Sequence, residues 1–523
     1  MRKPTASPRS RLTRGAFAAT AIVVLAACGA GDEAVSAEWD TSLSPAARPA
    51  SSGGCATRIN NTSEKLRECV TVDGVRAHQA ALQEIADDNG GTRASGTPGY
   101  AASVSYVVAK MSAAGYIVTL HSFPFVYKPL PTLQQLTPVA ATYPTGSFTG
   151  TGFGEVTAAV TPVDINLVLP RANTSGCEAS DFAGFPVGNI ALLQRGTCDF
   201  SDKALNAQAA GASAVIIFNQ GNAPEREGLI IGTLGADTVV DIPVVGASFA
   251  DGVSLTQPGS TALVDVPQFQ NVTQYNVIAE SRGGDPGNVV MVGAHLDSAQ
   301  QGPGIQSNGS GSAAILETAL QMATVTPVNK VRFAWWGGYE SGIVGSTAYV
   351  EGLSTAEHDK IALYLDFNML ASPNYVFFVY DADDSAPTGS TAIEDVFEAY
   401  YTQRALPFKG YGVGTAGDLA SFSAENIPVG ALTTGAGGIK TAAEAALWGG
   451  TAGAPYDPCY RQACDTFDNV NLEALGINAD AVAHATLLFA MSTQSVNGKR
   501  GRGNLGRPGP GATTVSTSAL PVR

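Results

Sequence analysis

Positive charge is what this chain has least of. It carries 30 Lys and Arg against 45 Asp and Glu, and its formal net charge is −15. Nucleic acids and anionic membrane surfaces are both held through clustered cations, so neither is expected as a partner of the folded region. No repeat with a period of roughly 20 to 50 residues is present, which excludes a solenoid. The apolar run from Ala16 to Ala27 falls short of the roughly 20 residues that a bilayer-spanning helix needs. Ser310 lies in Asn308-Gly-Ser-Gly311 without a Gly-x-Ser-x-Gly elbow, so a serine hydrolase is not expected. Cys-x-x-Cys spacing beside a histidine is missing too, which argues against a cysteine-rich metal site.

What is present suits a compact exported protein. A length of 523 residues allows two folded domains with sizeable cores. Hydrophobic residues make up 45% and charged residues 14%, and the 59 glycines suggest a loop-rich α/β fold. Residues 1–27 read as a signal peptide, with a basic start (Arg2, Lys3, Arg9, Arg11, Arg14) followed by the short apolar run. Leu25-Ala-Ala-Cys28 resembles a bacterial lipobox, with cleavage before Cys28 and acylation of that cysteine. Residues 28–54 then form a small-residue tether, and the protein is expected outside the cell, held to the membrane by its lipid. Loss of residues 1–27 removes those five cations and no anion, so −15 becomes −20. Six cysteines remain after Cys28, in sequence-close pairs: Cys55 and Cys69, Cys177 and Cys198, Cys459 and Cys464.

Apolar spacing predicts a helix from residue 72, a break at Gly90-Gly-Thr-Arg-Ala-Ser-Gly-Thr-Pro-Gly99, a second helix over 100–114 and a strand from Tyr116. The pattern then changes. Residues 136–264 contain Ala191-Leu-Leu-Gln-Arg-Gly-Thr-Cys198, Lys203 and the apolar stretch leading to Asn219, with buried strands at 214–218 and 242–245. This run resembles the protease-associated domain, a small β-rich insertion of exported peptidases. From about Gln270, strands at 276–279, 289–294, 331–336 and 361–367 alternate with helices such as 312–322. That alternation predicts a mostly parallel central sheet flanked by helices, with sites at the carboxyl ends of its strands. One domain therefore comprises 55–135 and 265–495, and a disordered tail is expected over 496–523.

Five stretches stand at or just after those strands or in long loops: Gly293-Ala-His-Leu-Asp-Ser298, Gly302-Pro-Gly-Ile-Gln-Ser-Asn-Gly-Ser-Gly311, Phe333-Ala-Trp-Trp-Gly-Gly-Tyr-Glu-Ser-Gly342, Leu365-Asp-Phe-Asn-Met369 and Tyr456-Asp-Pro-Cys-Tyr-Arg-Gln-Ala-Cys-Asp465. Their order and spacing resemble the secreted bacterial zinc aminopeptidases, a family related to glutamate carboxypeptidase and to the non-catalytic transferrin receptor. The resemblance covers about residues 55–495 and supports disulfides within each sequence-close cysteine pair. It places metal ligands at His295, Ser307, Glu340, Asn368 and Arg461, the general base at Tyr339 and an oxyanion-stabilising phenol at Tyr460. Asp297 is placed to orient His295.

At four of those positions this chain departs from the family. Ser307 stands where a carboxylate bridges two zinc ions, Asn368 replaces an Asp ligand, Arg461 a His ligand and Tyr339 the Glu base. A hydroxyl, an amide and a guanidinium cannot neutralise two dications, and a phenol with a pKa near 10 is a poor base at neutral pH. Ser307 is expected instead to cap the helix starting near Gly311, and Arg461 to pair with Glu340 in place of the metal charge. The expected protein is a catalytically inactive homologue that needs no cofactor and binds a peptide or protein in its old cleft, beside Tyr411, Asp418 and Gly435–Gly438. The alternative is an active aminopeptidase with a rearranged or single-zinc site, in which Asp366 joins His295 and Glu340. His78, His121, His358 and His484 fit ordinary surface or helix-face positions, and Trp335 and Trp336 fit core packing.

Overall fold

The computed structural model describes residues 54–499 except 56, 236–238, 383–385 and 413–416. The signal peptide, Cys28, nearly all of the tether and the tail from residue 500 lie outside the described residues.

Among the described residues fifteen strands run in chain order: β1 (Ile117–Tyr127), β2 (Thr132–Thr137), β3 (Ala141–Tyr143), β4 (Gly154–Pro162), β5 (Ile190–Gln194), β6 (Ala214–Phe218), β7 (Val244–Ala247), β8 (Thr261–Val266), β9 (Gln270–Glu280), β10 (Asp285–His295), β11 (Asn329–Trp336), β12 (Ile361–Phe367), β13 (Phe378–Tyr380), β14 (Lys409–Tyr411) and β15 (Val429–Thr433). They make two sheets. The larger has the order β1-β9-β11-β10-β12-β15-β13-β14, and the smaller β3-β2-β8-β4-β5-β6-β7.

The middle of the large sheet, β11-β10-β12-β15, is parallel. β1 and β9 pair antiparallel on one flank, and β13 runs antiparallel to β15 on the other. Every residue of β12 is buried, as expected of a strand covered on both faces. Alternate side chains feed two cores. Val290, Val292, Phe333, Trp335, Leu363 and Leu365 meet one set of helices, while Met291, Ala334, Trp336, Tyr364 and Phe422 pack on the other side. The helices Val72–Asp88 and Pro98–Ala113 are capped by Thr71 and Thr97, whose side chains accept from the backbone of Gly74 and Tyr100. The helix Leu472–Met491 is long and apolar enough to cross a membrane, but two thirds of it is buried and it belongs to the first core.

The small sheet is an insertion closed by the β1–β9 ribbon, in which Tyr127 pairs with Gln270. It begins at β2 and ends with β8, so the insertion runs from Thr132 to Val266, slightly wider than the 136–264 expected from composition. The Pro- and Thr-rich run that looks irregular in sequence supplies β2, whose Leu133 is fully buried. At the other end, residues expected to begin the tail are ordered. Gln494–Asn497 is a helical turn and Val496 packs into the core.

Cysteine pairs 55–69, 177–198 and 459–464 are all disulfide-bonded. Structural disulfides persist in oxidising compartments, which fits an exported protein.

A candidate active site rebuilt around an ion pair

The site lies at the carboxyl ends of the parallel strands, where α/β sheets place their ligands. β10 ends on His295 and β11 ends on Trp336, followed by Gly337 and Gly338. Gly338 has φ +70°, which a side chain would disfavour, and this reversal folds Tyr339 and Glu340 back over the strand ends. Asp297 pins the turn, its two carboxylate oxygens accepting from the backbone N–H of Tyr339 and of Glu340 at 3.2 Å each.

His295 is fully buried, and its Nδ1–H donates to the Asp297 carbonyl at 2.9 Å. The Asp297 carboxylate is 3.6 Å from the same nitrogen. Burial pulls the imidazole towards neutrality, yet Asp297, Glu340 and Asp418 outweigh it and hold its pKa above the ordinary value. The Tyr339 ring lies flat on this imidazole, with centroids 3.7 Å apart and planes 2° from parallel. Its hydroxyl accepts from Asn368 Nδ2 at 2.8 Å. Burial, then the charges of Asp418 and Asp366, lift the Tyr339 pKa far above that of a free phenol. Such a group stays protonated and cannot act as a base at neutral pH.

Arg461 Nε stands 2.6 Å from Glu340 Oε2, the ion pair expected from the exchange of charges. Glu340 is almost buried, with 9% of its side chain exposed, whereas Arg461 is 47% exposed. Burial raises the Glu340 pKa, against the pull of His295 and Arg461. Arg461 sits within the loop closed by Cys459–Cys464, with a left-handed φ of +57°. Beside it is Tyr460, whose ring centroid is 5.1 Å from the guanidinium carbon. Glu340 and Arg461 line a cleft of about 240 Å³ together with Ser95, Ser298 and Gln300.

Other expectations change. Ser307 does not cap the following helix; Asn308 does, accepting from Gly311 N at 2.9 Å. Asn308 also accepts from Met369 N and donates to Phe367 O, so its amide ties the helix start to the end of β12. A serine side chain is too short to bridge both. Gly311 fits because any Cβ there would lie 2.1 Å from Phe367 O. The Ser307 hydroxyl makes no hydrogen bond among the described residues, and its backbone N–H donates to Asp465. In the sequence Asp465 is simply the last residue of the fifth stretch, with no role expected of it. Its carboxylate accepts from the N–H groups of Gln306 and Ser307 at 2.8 and 2.9 Å and so holds the loop.

Asp366 does not join His295 and Glu340. Residues two apart on a strand share a face but sit roughly 6–7 Å apart, and Asp366 is the inner of the pair with Asn368. It is 2% exposed and accepts from Tyr364 Oη at 3.0 Å. Burial lifts its pKa to about 6, with the Tyr364 hydrogen bond opposing. Asp418 is not a cleft residue either: it is 1% exposed, and burial together with the Asp366 charge pushes its carboxyl well above the usual range. His78 is also buried, between Tyr106 Oη at 2.7 Å and Glu317 at 3.2 Å. Trp335 and Trp336 are wholly buried beneath the site.

These residues do not fit two zinc ions. Among the described residues no three His, Cys, Asp or Glu side chains converge on a point that could hold a metal. One Glu340 oxygen is engaged by a permanent cation. The buried atoms without a hydrogen-bond partner include His295 Nε2, Glu340 Oε1, Asn368 Oδ1 and, deeper, Asp418 Oδ1.

Comparisons place the chain among peptidases. The family model described as peptidase family M28 matches residues 276–486, and the PA domain model matches 163–255. An aminopeptidase of Pseudomonas aeruginosa is 48% identical over 447 residues, covering 83% of each chain. A "probable lipoprotein aminopeptidase" of Mycobacterium tuberculosis is 40% identical over 479 residues, covering 88% of this chain and 92% of its own. Among solved structures, an aminopeptidase from Aneurinibacillus sp. strain AM-1 superposes with a TM-score of 0.52 at 26% identity, over 81% of this chain and 95% of that one. A zinc aminopeptidase from Bacillus subtilis shares the fold, with a TM-score of 0.55 at 22% identity, over 79% of this chain and 94% of its own.

Proposed function

The chain belongs to peptidase family M28, carries an inserted PA domain, and from that premise we propose that it is a catalytically inactive, peptide- or protein-binding member of a zinc aminopeptidase family. The Glu340–Arg461 ion pair carries the reading. A guanidinium supplies positive charge where a metal-binding residue is expected, and it saturates one oxygen of the remaining carboxylate ligand. The Tyr339 ring on His295, held by Asn368, supports it by filling the place of the base with a group that stays protonated. The partner is a peptide or protein seated in the former cleft, and no nucleic acid is involved. Lipid attachment at Cys28 holds the protein on the outer face of the membrane. The resemblance of residues 25–28 to a lipobox and the description of the mycobacterial relative as a probable lipoprotein support that placement.

Retained metal and peptidase activity test the reading together. After dialysis against zinc and then metal-free buffer, the protein is expected to keep almost no zinc and to release no leucine from leucine 4-nitroanilide. Stoichiometric zinc with turnover overturns the proposal. One observation favours the alternative, an active aminopeptidase with a rearranged site: His295 Nε2, Glu340 Oε1 and Asn368 Oδ1 are buried and unpartnered. Retention of a single metal ion, lost in a His295→Ala variant, supports that second reading.

A further inference from the structure

Arg461 is tied at one end only. Its Nε stands 2.6 Å from Glu340 Oε2, and among the described residues its terminal nitrogens donate no hydrogen bond. A guanidinium held through Nε keeps a planar fork of N–H donors, the shape that matches a carboxylate bidentately. The Arg461 side chain is half-exposed and borders the cleft. The disulfide around Arg461 and its Glu340 contact fix its direction in advance, which lowers the ordering cost of binding.

The carboxylates of the cleft already face donors, apart from the buried Glu340 Oε1. Both Asp297 oxygens accept backbone N–H groups, and Glu340 faces Arg461. Arg461 is the one cation among the residues lining the cleft. The volume of about 240 Å³ falls below the roughly 300 to 1,000 Å³ of pockets that enclose a whole small ligand, so it suits a single terminal residue.

We propose that the cleft binds an α-carboxylate on the free fork of Arg461, presented by the last residue of a peptide or by a free amino acid. The inference rests on the peptide-binding reading and names its ligand end. It departs from a site for cleaving N-terminal residues, because the guanidinium recognises the opposite end of a chain.

The test is calorimetric titration of the full chain with N-acetyl-Ala-Ala-Leu, its C-terminal amide and N-acetyl-leucine. The acid is expected to bind at least about tenfold tighter than the amide, the scale of one charge-assisted hydrogen bond. N-acetyl-leucine matching the tripeptide indicates an amino acid ligand, and weaker binding indicates a peptide end; both support the carboxylate site. Arg461→Lys keeps the charge and loses the fork, and should abolish most of the preference. Arg461→Gln with Glu340→Gln leaves no buried charge unpaired, so it separates binding from misfolding; it should bind acid and amide alike. Equal affinity for acid and amide in the unaltered protein overturns the proposal while leaving peptide binding intact. If neither tripeptide binds, both readings fall.

Discussion

Removal of the Arg461 guanidinium should expose how much of the site is held by one pair of charges. In an Arg461→Ala variant, Glu340 keeps its burial and loses its ion-pair partner at 2.6 Å. Two unit charges about 4 Å apart attract by roughly 1 kcal/mol in water and roughly 4 kcal/mol at an effective dielectric near 20. The pair lies between these limits, since Glu340 is 9% exposed and Arg461 47%. Discounted for the solvent on the arginine side, the expected loss is about 2 kcal/mol at pH 7, or about 3 °C in the melting of a domain of this size. The loss should shrink in acid. Without Arg461 the Glu340 pKa rises further, so the folded variant holds the proton, keeps its stability below that pKa and loses it as pH rises through it. Urea unfolding followed by tryptophan fluorescence, in a cycle with Glu340→Gln, isolates the pair. A coupling energy within about 0.5 kcal/mol of zero would refute the argument that this contact replaces metal charge.

Two further expectations concern the inserted domain and the disulfide loop that carries Arg461. Lys203 is buried in the inserted domain, where desolvation pulls its pKa down to about 8 against the nearby Asp181, Asp164 and Asp202. Its folded pKa is depressed, so stability present above pH ~10.4 is lost as pH falls through about 8; a Lys203→Met variant should flatten that dependence, worth at most about 3 kcal/mol, in denaturation measured at pH 7 and pH 10. Replacing Cys459 and Cys464 by serine opens a short loop and should lower stability by about 2 kcal/mol. The same variant should speed hydrogen exchange at Arg461 and Gln462, and unchanged exchange there would show that the loop is held by other contacts.

Most of the architecture was legible because the buried strands announce themselves. Runs such as Ile361–Phe367 are apolar throughout or nearly so, and the threonine and asparagine caps stand directly before the helices they start. The meeting of Glu340 with Arg461 was legible from charge, since loss of carboxylates and gain of a guanidinium leave one of each. What sequence hid was depth. Asp366 lies within the apolar run of β12 and accepts from Tyr364, whereas Asp418 differs in no visible way in the sequence from an exposed carboxylate. Ser307 and Asn308 are both good caps, and the choice between them depends on a third contact, the Asn308 amide on Phe367 O. Tyr339 could be read as a lost base. That its ring would stack on His295 follows from the Gly338 turn and from Asn368, more than twenty residues away.

If the four substitutions compensate one another, reversing them singly should hurt and reversing them together should help. Ser307→Asp alone adds a buried carboxylate beside a loop already held by Asp465, with no metal to neutralise it. Arg461→His alone removes the permanent cation from Glu340. Asn368→Asp breaks the amide contact to Tyr339, and Tyr339→Glu puts a second carboxylate beside Glu340 and takes the ring off His295. Each change leaves charge unpaired where burial makes that expensive, of order 1 to 3 kcal/mol per group. Together they recreate the donor set that the family resemblance describes, and bound zinc then offsets the added carboxylates. The fourfold variant should therefore be less stable than the parent in chelator, more stable in excess zinc, and retain zinc through dialysis. A fourfold variant whose melting temperature ignores zinc would mean that the surrounding loops, and not these four side chains, have abandoned the metal geometry.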